Sequence, residues 1–222
     1  MKHSFTAITL LSVLSFFATA AQATLIDRGG GLIYDTDLNI TWLQDTNLGA
    51  GSAYDNGGST TDGRMTWDNA IAWADTLIFA GFDDWRLPTA EPNCSYEWDC
   101  TYGEIGHLFF EELGAERGSS VYMVSDTANL DLFRNVQDYV YWTSLTVNSY
   151  PSYDPGAIGF NFNGGTQCDY WQRNDFFVWA VRDGDVAAEP VPEPATMLLM
   201  GTGLAGIITA RRKKKAQSHL SA

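Results

Sequence analysis

The 222 residues carry 27 acidic side chains against 13 basic ones, a formal charge of −14, with three cysteines and 14% aromatic residues. A surface of that sign repels nucleic-acid phosphates and anionic headgroups, which excludes nucleic-acid binding and favours neutral glycans, cations or basic partners. The length suits one domain of ordinary size once two specialised ends are set aside.

The first end is an export signal. Lys2 and His3 open a polar start, residues 5–18 are apolar, and Ala21-Gln22-Ala23 has the small-x-small pattern of a signal-peptidase site. Residues 1–23 therefore read as a signal peptide, with the mature chain beginning at Thr24. Residues 24–188 hold 25 acidic residues, seven arginines and no lysine, a formal charge of −18.

Leu32-Ile33-Tyr34 and Asn39-Ile40-Thr41-Trp42-Leu43 read as two strands joined by an acidic turn. Asp35, Asp37 and Asn39 alternate as in a calcium loop. However, Ile40 stands where the sharp-turn glycine belongs and Thr46 where a bidentate Glu would, so a plain turn is expected and calcium is the weak alternative. Residues 49–64, rich in Gly, Ser, Thr, Asn and Asp, read as a surface loop. Thr66 then caps a helix whose Trp67, Ala70, Ile71, Ala74, Leu77 and Ile78 form one apolar stripe, with Trp73 off it and half exposed and Gly81 as the stop.

Asp84-Trp85-Arg86-Leu87-Pro88-Thr89 is the expected keystone. Pro88 fixes its own φ and drives Leu87 toward extended backbone, Trp85 supplies apolar area, and Arg86 can fork onto Asp83, Asp84 or Glu104. Cys94 and Cys100 can close a small loop in an oxidising compartment; pairing of Cys94 with Cys168 is the alternative, and Cys168 can also link two chains. Thr101 and Glu104 form a capping box for a second helix running to about Leu113, with Ile105, Leu108, Phe109 and Leu113 inward. Residues 119–188 return to strands at 121–124, 140–144, 159–162 and 176–182, so the domain at 24–185 is α+β.

The other end has three parts. Residues 186–194 are a Pro/Glu/Ala linker, 195–210 an uncharged apolar run that reads as a short transmembrane helix, and 211–222 a basic tail whose Arg211 and Arg212 hold that end in the cytoplasm. A permanent single-pass anchor is one reading of this run.

Chemistry is sparse. His107 is the one histidine of the mature domain, so zinc and a histidine base are both disfavoured; Asp83/Asp84 and Glu111/Glu112 are merely neighbours in sequence. No catalysis and no cofactor are expected. Tyr96, Trp98, Tyr102, Tyr170 and Trp171, with Tyr150 and Tyr153, lie in segments rich in Asp, Asn and Ser, where flat rings beside acceptors can hold a sugar. The segments 94–102 and 148–173 are the candidate ligand-binding loops.

Val191-Pro192-Glu193-Pro194, the apolar run and the basic cluster together resemble the PEP-CTERM sorting signal of Gram-negative bacteria. The resemblance implies that an exosortase cuts near Pro192, Glu193 and Pro194, after a transient stage in the inner membrane, and delivers the domain to the cell surface, the extracellular matrix or the medium. Asn39-Ile40-Thr41-Trp42, the Trp67 helix, Trp85-Arg86-Leu87-Pro88-Thr89, residues 104–109, Tyr141-Trp142-Thr143-Ser144 and Val178-Trp179-Ala180-Val181-Arg182 resemble the Lcl C-terminal domain family. That resemblance implies a C-type-lectin-like fold, with neighbouring terminal strands and two helices flanking a twisted antiparallel sheet. Where relatives enter a helix directly, Ala90-Glu91-Pro92 leads here into the cysteine loop. The association of the family's adhesin member with sulfated glycans carries over poorly to a domain of charge −18. The expectation is an exported binding or matrix protein contacting extracellular polysaccharide or another envelope partner; a purely structural matrix component is the rival, and a secreted hydrolase the third reading.

Overall fold

Two sheets share one aromatic core. The computed structural model describes residues 25–186, apart from 93, 95, 96, 99, 125, 126 and 149–154, and only the backbone at 97 and 98. The expected signal peptide, PEP motif, transmembrane helix and basic tail lie outside the described residues. Among the described residues, no helix is long and apolar enough to cross a membrane.

The first sheet is built from β1 (Leu25–Gly29), β2 (Leu32–Asp35) and β3 (Ile40–Leu43), closed by the last strand, β10 (Val181–Asp183), in the order β1-β2-β3-β10. All its pairings are antiparallel. β3 lies inside this sheet and is buried at all four positions, which is why Ile40-Thr41-Trp42-Leu43 reads apolar without alternation. The second sheet comprises β4 (Arg64–Met65), β5 (Glu97–Trp98), β6 (Val140–Val147), β7 (Gly156–Asn161), β8 (Thr166–Trp171) and β9 (Phe176–Phe177), in the order β4-β9-β6-β7-β8-β5. Between the sheets lie the fully buried Trp42, Tyr141, Trp142, Phe160, Phe162 and Trp179. Trp179 meets Trp42 at 5.0 Å and Phe133 at 4.9 Å between ring centroids, distances at which tilted and edge-on rings attract.

Several expectations are corrected. The apolar run 176–182 is not one strand: β9 and β10 belong to different sheets, and the buried Val178, Trp179 and Ala180 cross between them. Residues 121–124 form a single 3-10 turn at Val121–Met123, closed by the amide of Met123 on the Ser120 carbonyl at 2.9 Å and capped by Ser120 Oγ, which accepts from the amide of Tyr122. Helix α1 (Trp67–Thr76) ends early, since Leu77 is extended, and Ile78 is left 77% exposed. Trp73, expected to be half exposed, is only 5% exposed. The reason is the 49–64 segment, which folds over the helix instead of leaving it bare. Gly49 lies against Met65 and Trp73, and Asn69 Nδ2 donates to the carbonyl of Tyr54 at 3.0 Å.

The second helix also departs from its expected form. Its N-cap is Gly103, not Thr101, and its α-helical part α2 covers only Glu104–His107. The reciprocal cap is made across 15 residues instead: Glu104 N donates to Thr89 Oγ1 at 3.3 Å and Thr89 N to Glu104 Oε2 at 2.7 Å. From Leu108 to Glu112 the helix widens into a π turn, with the amide of Leu113 bonded to the Leu108 carbonyl five residues back at 2.9 Å. Gly106 is required here, because a Cβ at that position would stand 1.8 Å from the carbonyl oxygen of Cys100.

Candidate functional site

Around the keystone the structure builds a closed polar corner. Trp85 is buried, and the backbone of Arg86 bridges to Val181 by two hydrogen bonds of 2.8 and 2.9 Å. The Arg86 guanidinium forks onto Glu104 at 2.7 and 2.8 Å and also reaches Asp183. Asp83 and Asp84 are not its partners. Asp84 instead takes two bonds from Arg182, 98 residues away, at 2.8 and 2.9 Å. The carbonyl of Pro88 accepts from Ser144, tying the corner to β6.

The cysteine loop is closed by the Cys94–Cys100 disulfide, and Cys168 is half-buried on β8. Gln167 clamps the loop to β8, donating to the carbonyls of Glu91 and Cys94 at 2.7 and 3.0 Å and accepting from Glu91 N at 3.0 Å. Tyr96, Tyr150, Tyr153 and the side chain of Trp98 lie outside what is described. β5 sets the backbone of Trp98 opposite Thr166, whereas Trp171 is five residues further along β8, about 17 Å at the usual strand rise. Tyr102 is 88% exposed; Tyr170 packs on Phe176 at 4.7 Å, with burial raising its phenol. Trp171 is 41% exposed but has the Arg173 guanidinium 4.2 Å over its ring. Trp98 and Trp171 thus stand toward opposite ends of β8, so the expected ligand-binding aromatics are not brought together there.

A cleft of about 510 Å³ opens elsewhere, at the glycine-rich β1–β2 turn. Asp27, Gln44, Asp45, Phe79 and Arg134 line it together with Gly29, Gly30 and Gly31. Gly31, at φ +87°, is required, because a Cβ there would meet the Phe79 ring at 2.9 Å. Asp27 Oδ1 is taken by the amide of Gly29, and Asp45 Oδ1 by the amide of Asn47 and by Asn135 Nδ2. The second oxygen of each carboxylate therefore stands available for a ligand among the described residues. The backbone of Arg134 is pinned between Gln44 and Thr46, leaving an exposed guanidinium at the rim. Sequence reasoning missed this site, whose residues come from four separate segments with no shared motif.

A third cluster joins the β2–β3 turn to the second helix. Asp35 is fully buried, its Oδ1 accepting from the amides of Asp37 and Leu38 at 3.1 and 3.0 Å and its Oδ2 from Trp42 Nε1 at 3.4 Å. Asn39 Oδ1 is taken by the Tyr34 hydroxyl, so the alternating calcium-loop ligand set is not what Asp35 joins. The ligand atoms of Asp35, His107 and Glu112 lie within 4.8 Å of one another. His107 Nε2 is 3.6 Å from Glu112 Oε1 and 3.9 Å from Asp37 Oδ2. The Glu112 side chain is fully buried, and neither of its oxygens has a hydrogen-bond partner. Burial, then the charges of Asp35, Asp37 and Glu111, push its carboxyl up to about 7; burial also raises Asp35 in spite of its three donors. These residues can together hold a metal.

An α+β domain with a closed corner, an acidic cleft and a stapled loop is thus defined by its own geometry. The chain belongs to the Lcl C-terminal domain family, which it matches over residues 31–182. Residues 190–214 match the PEP-CTERM protein-sorting motif, so the chain is an exosortase-targeted protein sorted to the cell envelope. No curated protein and no solved structure matches it.

Proposed function

We propose that the domain is a non-catalytic module that binds extracellular polysaccharide after exosortase delivery, on a C-type-lectin-like scaffold. In this reading the apolar run 195–210 holds the precursor in the inner membrane until cleavage near Pro192-Glu193-Pro194, and the product remains at the surface or in the matrix. The observation that carries the reading is the cleft at the β1–β2 turn. It combines two half-satisfied carboxylates, an amide side chain, one guanidinium and the Phe79 ring, a set suited to hydroxyl-rich ligands of neutral or amino-bearing type. The cleft is a better candidate than Trp171, one face of whose ring is already covered by Arg173.

Saturable retention of the full-length protein on exopolysaccharide, without release of soluble sugar, is the expected outcome. Arg134→Ala lowers retention several-fold with an unchanged melting temperature, while Trp171→Ala changes it little. If no glycan is retained by the intact protein, the structural matrix role takes precedence; if sugar is released, the domain is a hydrolase.

A further inference from the structure

We infer that Asp35, His107 and Glu112, with Asp37 at the open edge, form a binding site for one divalent transition-metal ion of the zinc type. The inference is independent of the saccharide reading.

The argument begins with the π turn. In an α-helix, residues five apart point about 140° away from one another, so His107 and Glu112 would diverge. Widening the helix at Leu108–Glu112 brings them onto one face, with 3.6 Å between Nε2 and Oε1. Single π turns inside helices recur at functional sites, where the local loss of regular bonding is offset by what the displaced side chains hold.

The second step concerns Glu112. A buried carboxylate without a hydrogen-bond donor costs several kcal/mol, and cores normally avoid it. Its surroundings make matters worse, since the carboxylates of Asp35, Asp37 and Glu111 all disfavour its charge. The Arg86 guanidinium is spent on Glu104 and Asp183. His107, facing Glu112 at 3.6 Å, is too far for a hydrogen bond. A cation between these groups would satisfy Glu112, use the buried lone pair of His107 Nε2 and offset the carboxylates together.

The donor set selects the ion. One imidazole with carboxylates favours zinc or a similar transition metal over calcium and magnesium, which take oxygen alone. Around tetrahedral zinc, with bonds of about 2.1 Å, ligand atoms stand about 3.4 Å apart. The separation of His107 from Glu112 is already at that spacing. Asp35 is orientated by the two turn amides on Oδ1, as metal-bound carboxylates generally are. Asp37, 43% exposed, and His107, 18% exposed, leave an approach from solvent.

The test uses the full-length protein purified without a polyhistidine tag, stripped by chelator, and titrated with Zn²⁺ and Co²⁺. One Zn²⁺ per chain, a melting temperature raised by several degrees, and Co²⁺ visible bands of a nitrogen–oxygen site are expected. Glu112→Gln and His107→Ala each weaken Zn²⁺ affinity by about tenfold or more. Glu112→Gln also folds without metal, with a melting temperature no lower than that of the stripped parent, which separates lost binding from lost folding. No Zn²⁺ uptake, a response to Ca²⁺ alone, or uptake that survives both substitutions would overturn the site.

Discussion

Glu104 and Glu112 stand at the two ends of one helical segment, yet their polar surroundings are opposite. Glu104 has both oxygens engaged, one by Arg86 and the other by Arg86 and the Thr89 amide. At the far end of the same helical segment, Glu112 has neither oxygen engaged and faces only an imidazole and other carboxylates. The first arrangement closes on itself and joins the corner, α2 and β10. The second is complete only with something added. A fold that supplies three donors to one carboxylate has the means to supply them to its neighbour, and the contrast assigns the first to stability and the second to a ligand.

The largest effect should come from breaking the closed end. Arg86→Ala leaves Glu104, only 14% exposed, without its fork and releases Asp183, and should cost about 3 kcal/mol of unfolding free energy in urea titration. Asp183→Asn at the same corner should cost well under 1 kcal/mol, since that carboxylate is 80% exposed. Equal losses from the two substitutions would show that the corner is not organised around Glu104.

A smaller loss is expected from the hinge between the two ends. Gly106→Ala drives a methyl into the Cys100 carbonyl, part of a loop whose disulfide partner Cys94 is tied to β8 by Gln167, and should cost about 2 kcal/mol. Because α2 carries both Glu104 and His107, the same variant should also weaken metal uptake. A Gly106→Ala protein with the parent's stability would mean that the helix can shift freely and that the register of His107 is not fixed.

At the open end the sign should reverse. Glu112→Gln in the presence of chelator removes a buried, unpartnered charge from among other carboxylates and should stabilise the protein by about 1 kcal/mol. Addition of Zn²⁺ should then favour the parent over the variant. Destabilisation of the stripped protein by this substitution would show that the carboxylate already has a partner.

The difference between the two ends also decides what could be read from the sequence. The corner was legible because Trp85-Arg86-Leu87-Pro88-Thr89 is contiguous and its proline acts locally. Even so, Arg86 had three carboxylates to choose from, and only the fold selects Glu104. The metal cluster was not legible: helical pattern reading looks for neighbours at three and four, and His107 and Glu112 are five apart. Asp35 was visible as a calcium-like ligand, but the backbone bends its carboxylate inward. The cleft was hidden for another reason, since Asp27, Asp45, Phe79 and Arg134 carry no pattern until the β1–β2 turn and the 134 segment are brought together. Residues 176–182 misled because unbroken apolar sequence does not record the point at which a chain leaves one sheet for another.

The smallest effect tests whether outer ion pairs contribute at all. Arg182 is only 11% exposed and lies 4.0 Å over the Phe82 ring, so it is held in place whether or not Asp84 is charged. The hydrogen bonds from Arg182 hold Asp84 below the usual carboxylate range. A carboxyl whose pKa is lower in the folded than in the unfolded chain adds stability above the unfolded value of about 3.9, and that increment disappears as pH falls through the folded value. Asp84 is 52% exposed, so solvent screening limits the increment to about 0.5 kcal/mol. Asp84→Asn should therefore be slightly less stable than the parent at neutral pH, and the two should converge in high salt and as pH falls below the lowered folded value. A difference that persists in acid would place the contribution of Asp84 in its shape and hydrogen bonds, with its charge playing no part.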